Sequence, residues 1–566
     1  MLSVSQKTLS VASWLWRKTL SEDHKQIAML YGVLSVLLSE FWGLHALFWS
    51  MGKLLISQST VKLPPLLLSD GLILCLAYPL MVAVLSYLIP LMIGARKMAF
   101  PRLLGLGFWC FVWGSFALIF QILFKDNTHS SRYLAIVLLS MSSGCNAISY
   151  LVTIKNMRTS GMTMSRLPLL IWAGAGMACV WCLKWPLETM FAVLQALANQ
   201  MGEFAIIDNP IWRMFMHDYR MWNFHPEVMV LVLPSFGIIF SIFSTFSKKR
   251  TLVYTGQIFL FGMIILLLII GWWRIILPIP ENFNAVFLAT VLVSFMGIQS
   301  LLGIFSLSIN KNMLNPAMIL SLNAVTVPLI CILIEAGDAM FKIAYTDIIL
   351  ILAPVHVQLI LISMILTSGI AAIYFWFPKA TGRHVYPHWS ILHVILHLAG
   401  VYLSCMPVIQ SSEGIHVFTE WVAMFSHETL VWVTLGLFCW CTGYGVGIFN
   451  WFHSYHHGAV ASHDPWNGRT LEWSVPSPVP PYNFAVSPKV HTMDAFLYEK
   501  YVHPDVVAHP EMIEVHGALP GSSIWPFLIS VGGVIALISL LSWFWMVIPG
   551  LIFMFAGVLG WAFHPE

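Results

Sequence analysis

The chain has 566 residues, of which 58% are hydrophobic and only 9% charged, with a formal charge of +3 at pH 7; soluble domains carry about a quarter charged residues, so a water-surrounded globular fold is excluded. The 28 Lys and Arg are scattered in short clusters, which excludes a basic nucleic-acid-binding face. Aromatics reach 14%, with 25 Trp and 37 Phe, and a lipid bilayer is the medium that accommodates such a surface.

A membrane-crossing helix needs roughly 20 apolar residues. Such stretches are predicted at about 27–48, 66–94, 104–124, 133–153, 168–197, 226–246, 252–277, 284–308, 316–336, 345–376, 390–410 and 426–450. The pattern then stops. Residues 452–522 are polar and rich in Pro, His and Ser, with Ser474 to Pro480 reading SVPSPVP, too Pro-rich for one helix. Two further spans are predicted at about 523–541 and 544–562. The expected architecture is an all-α polytopic membrane protein: a twelve-span bundle over 1–451, a cytoplasmic polar linker lying on the membrane surface over 452–522, and a C-terminal transmembrane hairpin over 523–566. Most of the nine cysteines lie inside apolar runs, and Cys179 and Cys182, the one C-x-x-C, have no second pair to complete a zinc site.

Loops rich in Lys and Arg stay on the cytoplasmic side. With a cytoplasmic N-terminus that side holds Arg17, Lys18 and Lys25, then Arg96, Lys97 and Arg102, then Lys155, Arg158 and Arg166, then Lys248, Lys249 and Arg250, and also Lys379 and Arg383. In all, 19 of the 28 Lys and Arg fall there, 8 on the opposite side, and Lys184 within a span. The first 20 residues lack the apolar core of a cleavable signal peptide.

Five blocks carry a family resemblance. Met221 to Phe240, MWNFHPEVMVLVLPSFGIIF, resembles the sixth helix of subunit I of the haem-copper respiratory oxidases, the cytochrome c and quinol oxidase family. Pro90 to Arg102, PLMIGARKMAFPR, resembles its second-to-third helix loop, and Tyr374 to Arg383, YFWFPKATGR, the end of its tenth helix. Asp23 to Tyr31, DHKQIAMLY, is similar to the segment before the first helix. Asp464 to Phe484, DPWNGRTLEWSVPSPVPPYNF, is similar to the segment after the twelfth. The blocks follow the family's order across residues 23–484. The resemblance implies a bacterial-type cytoplasmic membrane, other respiratory oxidase subunits as partners, and a haem and copper chemistry: a bis-histidine low-spin haem, and a one-histidine haem facing a three-histidine copper. Neutral imidazole suits both metals.

Those implied roles fall unevenly on this chain. His225 and Glu227 match the first copper ligand and the proton-delivering glutamate, but the family's tyrosine four residues after that histidine is Met229 here. The expected His-His pair falls on Ile275 and Ile276, and no histidine lies between His225 and His356. The family's His-x-His helix carries only His356. Aligned from Asp347, Pro354 replaces the high-spin ligand and His356 takes the low-spin place; aligned from WFPK, His356 takes the high-spin place and Gln358 replaces the low-spin ligand. No histidine occurs between Leu66 and Ile93, where the other low-spin ligand belongs. Lys97 stands at the family's channel-mouth aspartate, Gln299 near its buried lysine, and Val408 and Ile409 at its propionate-binding arginines.

Other groups have two readings each. HPEV also reads as a helix start, with Pro226 at the first helical position, and His356 as a bundle-interior histidine bonded to a neighbouring helix. His393 and His397, four apart, share a helix face and can grip a metal or haem edge, or simply pack. His453, His456, His457 and His463 read as an interfacial cluster or a weak metal site. Glu335 and Asp338 read as a solvated helix end or a cation site. Lys184 snorkels or pairs with Glu188. The expected function is a subunit I-like membrane protein acting as a non-catalytic structural or assembly partner in an aerobic respiratory complex, with haem and copper absent. The alternative is an active terminal oxidase, moving electrons to oxygen with proton translocation, whose haem is held by groups such as His45, His356, His393 or His397. A transporter using the emptied haem cavities, with Glu227 and Lys184 as its buried charges, is a third.

Overall fold

A computed structural model describes residues 18–55, 75–124, 130–201, 210–248, 254–273, 292–293, 295–300, 315–342, 354–410, 427–502, 521–542 and 547–563. The longer helices are α1 His24–Leu55, α2 Tyr78–Met92, α3 Pro101–Phe124, α4 Ser130–Asn156, α5 Leu169–Met201, α6 Pro210–Ser247, α7 Tyr254–Trp273, α8 Pro316–Lys342, α9 Pro354–Thr381, α10 Pro387–Gln410, α11 His427–His457, α12 Ala495–Val502, α13 Trp525–Ser542 and α14 Val547–Phe563. Among the described residues, seven helices are long and apolar enough to cross a membrane, and α7, α8, α13 and α14 supply shorter apolar helices. The protein is an all-α polytopic membrane protein.

Local chemistry explains the boundaries. α3, α6, α8, α9 and α10 each begin on proline, whose fixed φ and missing N–H suit the first helical position. The interior prolines Pro90, Pro186, Pro328 and Pro378 are tolerated because neighbouring helices shield the freed carbonyls. α6 begins at Pro210, well before the predicted span at 226. Pro226 is therefore interior to the helix and not its first residue, which corrects the helix-start reading of HPEV.

Packing follows small residues. Neighbouring pairs include α1 with α2 and α11, α3 with α4, α4 with α5, α5 with α6, α6 with α9, α8 with α9, and α10 with α11. α10 and α11 meet at glycines: a Cβ on Gly400 would lie 2.8 Å from Trp440 Cβ, and one on Gly447 would lie 2.6 Å from the His393 ring. Such close approach substitutes for the hydrophobic drive that lipid does not provide. α2 and the described part of α6 are the most enclosed spans, each 89% buried, against 33% for Leu430–His457 in α11.

One end of the bundle is closed by a polar cap. The chain after α11 lies across the ends of the helices, burying Leu471, Glu472 and Trp473. Lys25 at the start of α1 donates to Pro481 O at 2.9 Å and Asn483 Oδ1 at 2.8 Å, and Asn483 Nδ2 donates to Ala95 O at 3.1 Å. Trp466 Nε1 donates to Phe375 O at 2.8 Å, and Arg383 donates to Gly458 O at 2.7 Å. The loop after α2 turns at Gly94 with φ +75°, where a Cβ would also meet Thr159 at 2.8 Å; only glycine satisfies both demands. The α13–α14 hairpin packs on α3 through Trp109 and Phe527, with ring centres 4.7 Å apart, and Ser21 pairs with Ser522 across a single bridge.

Candidate functional site

The region where the resemblance places the redox centres is bounded by α2, α6 and α9. Most of their described buried positions are apolar, with Leu80, Met81, Leu85 and Leu88 on α2, Val230, Leu231, Val232 and Leu233 on α6, and Met364, Ile365, Ile370 and Ala371 on α9, beside the buried hydroxyls of Ser86, Ser235, Thr367 and Ser368. α9 approaches α2 so closely that a Cβ on Gly369 would lie 2.7 Å from Leu80 Cγ and 3.3 Å from Met81 Cε. At that level, about 20 Å along α9 from His356, the two helices touch directly.

His225 and Glu227 lie on α6 and His356 in the first turn of α9. The two helices pack together, but these three side chains fall outside the described residues, as do Ile275, Ile276, Pro354, Gln358, Glu335, Asp338, Val408 and Ile409. Met229, at the family's tyrosine position, is buried. Gln299, near the family's buried lysine, accepts a 2.6 Å hydrogen bond from Gln257 Nε2. Lys97 is exposed at the capped end. Among the described residues no three His, Cys, Asp or Glu side chains gather around one point. With no histidine on α2 and one histidine at the copper-ligand positions, the donor set of this chain does not fit bis-histidine haem or a three-histidine copper.

Buried polar groups cluster elsewhere. Tyr31 on α1, Tyr78 on α2, and Ser142 and Asn146 on α4 form one knot: Asn146 Nδ2 donates to Tyr31 Oη at 3.1 Å and Tyr78 Oη at 2.9 Å, while Ser142 Oγ sits 2.8 Å from Tyr78 Oη. The apolar-run reading missed this knot because each member is a lone polar residue in its own helix. Lys184 Nζ lies 2.7 Å from Glu188 Oε1, both buried, so the i, i+4 pairing reading of Lys184 holds over snorkelling. His393 and His397 are fully buried on one face of α10, bonded to Tyr374 Oη at 2.8 Å and Thr367 Oγ1 at 3.0 Å from α9. His45 on α1 stacks against Phe41 with ring centres 6.5 Å apart. His453 and His457 stack with ring centres 4.8 Å apart at the end of α11, where His456 and His457 are exposed.

At the capped end Lys379, fully buried in the last turn of α9, donates to His463 O and Val475 O, both at 2.7 Å. Burial pushes the Glu472 carboxyl up to about 7, because desolvation disfavours its charged form; Thr470 donates to its Oε1 at 2.6 Å. Arg469 makes a two-pronged pair with Asp494 at 3.0 and 2.7 Å, a strong geometry. Lys500 bonds to Asp464 and donates to Gly468 O at 2.8 Å.

Comparison with known proteins agrees with the motif reading. The sequence profile of the family described as "Cytochrome C and Quinol oxidase polypeptide I" matches residues 70–448. The chain is 28% identical to "Cytochrome c oxidase subunit 1" of Alkalihalophilus pseudofirmus, covering 93% of this chain and 89% of that protein. It is 25% identical to "Quinol oxidase subunit 1" of Bacillus subtilis, covering 95% and 89%. It is also 27% identical to "Heme-copper oxidase subunit I+III" of Aeropyrum pernix, covering 84% and 62%.

Proposed function

The chain belongs to the cytochrome c and quinol oxidase polypeptide I family, and from that premise we propose that it is a non-catalytic subunit I-like scaffold, a structural or assembly partner of other respiratory oxidase subunits. One observation carries this reading. The features that build the scaffold persist while the donors that build the redox centres do not: the capping motifs are bonded at Lys25, Lys379, Trp466 and Arg469, whereas no histidine lies between Leu66 and Ile93 and none between His225 and His356. A lone imidazole holds copper poorly against competing ligands, and a haem without its axial histidines has no controlled potential.

The orientation follows the same reading. Arg96, Lys97, Arg102, Lys155, Arg158, Arg166, Lys379 and Arg383 lie in the turns and helix ends at the capped end, as the bonds of Arg102 to Glu22, Arg166 to Val490 O and Arg383 to Gly458 O support. That end is the cytoplasmic one, with the N-terminus beside it. The membrane is the cytoplasmic membrane of a bacterial-type cell.

Tagged chain purified from its own membranes tests the proposal. It is expected to bring down oxidase subunits, among them a subunit I with intact ligands, and to reduce no oxygen when expressed without that partner. Oxygen consumption by the isolated chain, at a rate lost in His356→Ala, would establish the active-oxidase alternative instead.

A further inference from the structure

Between α9, α10 and α11 lies a buried polar site that the family resemblance does not assign. His393 and His397 are both 0% exposed, and each ring is held by one nitrogen only: Nδ1 of His393 pairs with Tyr374 Oη, and Nε2 of His397 with Thr367 Oγ1. The remaining nitrogens, His393 Nε2 and His397 Nδ1, are buried with no hydrogen-bond partner. A third atom shares that condition: Tyr444 on α11 is 2% exposed, and its Oη sits near Ser39 without a hydrogen bond of ordinary geometry. Leaving such groups desolvated and unpaired is unfavourable by about 1–3 kcal/mol each, so three in one place call for an occupant.

The three rings form a nearly equilateral triangle. His393 and His397 ring centres are 6.2 Å apart, and each is 6.1 Å from the Tyr444 ring. Two histidines one helical turn apart are the arrangement by which a single helix grips one metal ion. The hydroxyl on each far nitrogen matches the outer-shell bond that fixes the tautomer of a ligating histidine: if each far N–H donates to its hydroxyl, each near nitrogen presents a lone pair. An ion about 2 Å from each imidazole nitrogen holds the two ring centres about 5–6 Å apart, close to the observed 6.2 Å. Gly447 lets the His393 ring pack directly against α11, since a Cβ there would lie 2.6 Å from that ring. Charge compensation is at hand: Glu40 on α1 has a buried oxygen without a hydrogen-bond partner and lies within electrostatic reach of Tyr444 and Cys441.

We propose that His393, His397 and Tyr444 bind a single d10 metal ion, Zn2+ or Cu+, at a site distinct from the positions of the family's haem and copper ligands. The two ions share a preference for neutral imidazole and impose little geometry of their own. The site does not depend on the scaffold reading, because haem content and this ion are measured separately.

The test is elemental analysis of the detergent-purified full-length chain after incubation with Zn2+ or Cu+ and removal of unbound metal, with X-ray absorption on the wild-type protein. About one zinc or one copper per chain, with two imidazole nitrogens about 2 Å away, is expected, and the element found identifies the ion. His393→Gln and His397→Gln are expected to lower occupancy at least tenfold, and His388→Gln, exposed at the start of α10, to leave it unchanged. A chain that retains no stoichiometric metal, a spectrum without imidazole ligation, or occupancy that survives His397→Gln and falls in His225→Gln would overturn the proposal. The spectrum of the wild-type protein needs no variant to fold.

Discussion

Around α2, α6 and α9 the buried positions are filled by Leu80, Leu85, Val230, Leu233, Met364 and Ile370, and helices meet through side chains and glycines. At the capped end, a short distance along the same helices, buried Lys379, Arg469 and Asn483 each have named partners on a different segment. In the proposed reading the inner region gives up the histidine donors that cofactor chemistry requires, while the cap keeps the polar groups that folding requires. An unpaired buried polar group is unfavourable whether or not the protein catalyses anything, so a scaffold that gives up its redox centres can replace their ligands with apolar residues but cannot give up its cap.

The largest effect is expected where a charge lies inside the dry region. Glu188→Leu leaves Lys184 buried without its carboxylate and should destabilise the chain by about 3–5 kcal/mol, while Lys184→Met combined with Glu188→Leu should recover most of that loss. Thermal unfolding in detergent measures both, and a double variant no more stable than the single would break the comparison.

Next is the cap. Lys379→Met removes two charge-assisted bonds and strands two carbonyls, an expected loss of about 3 kcal/mol, read as faster proteolysis within residues 458–490. Glu472 sharpens the contrast through pH. Its folded value is raised to about 7 from the ordinary 4.5, so its contribution is fully present below the unfolded value and is lost as pH rises through about 7. Stability is expected to fall by up to about 3 kcal/mol between pH 4.5 and 8, and Glu472→Gln should flatten that slope; an unchanged slope would assign it to another group. The smallest effect is expected at the helix contact itself. Gly369→Ala should destabilise by about 1–3 kcal/mol through overpacking against Leu80, and a stabilised variant would mean that α2 and α9 leave space between them.

What could be read from the sequence divides along the same line. The described membrane helices were legible because twenty apolar residues have few other uses, while the predicted span at 284–308 lies mostly outside the described residues; the loop motifs were legible because turns such as the one at Gly94 admit few residues. The ligand losses were legible by position alone. The Tyr31–Tyr78–Asn146 knot and the hydroxyl partners of His393 and His397 were not, because each links helices many residues apart through single polar side chains that hydropathy averages away. The start of α6 at Pro210 was likewise hidden, since the polar stretch before His225 continues the helix beyond its apolar part.

Haem content decides the central claim most directly. A pyridine haemochrome spectrum of the purified chain, normalised to protein, is expected to show no haem above the detergent background. One haem per chain, lost on His356→Ala, would contradict the scaffold reading and restore the chain to the catalytic members of its family.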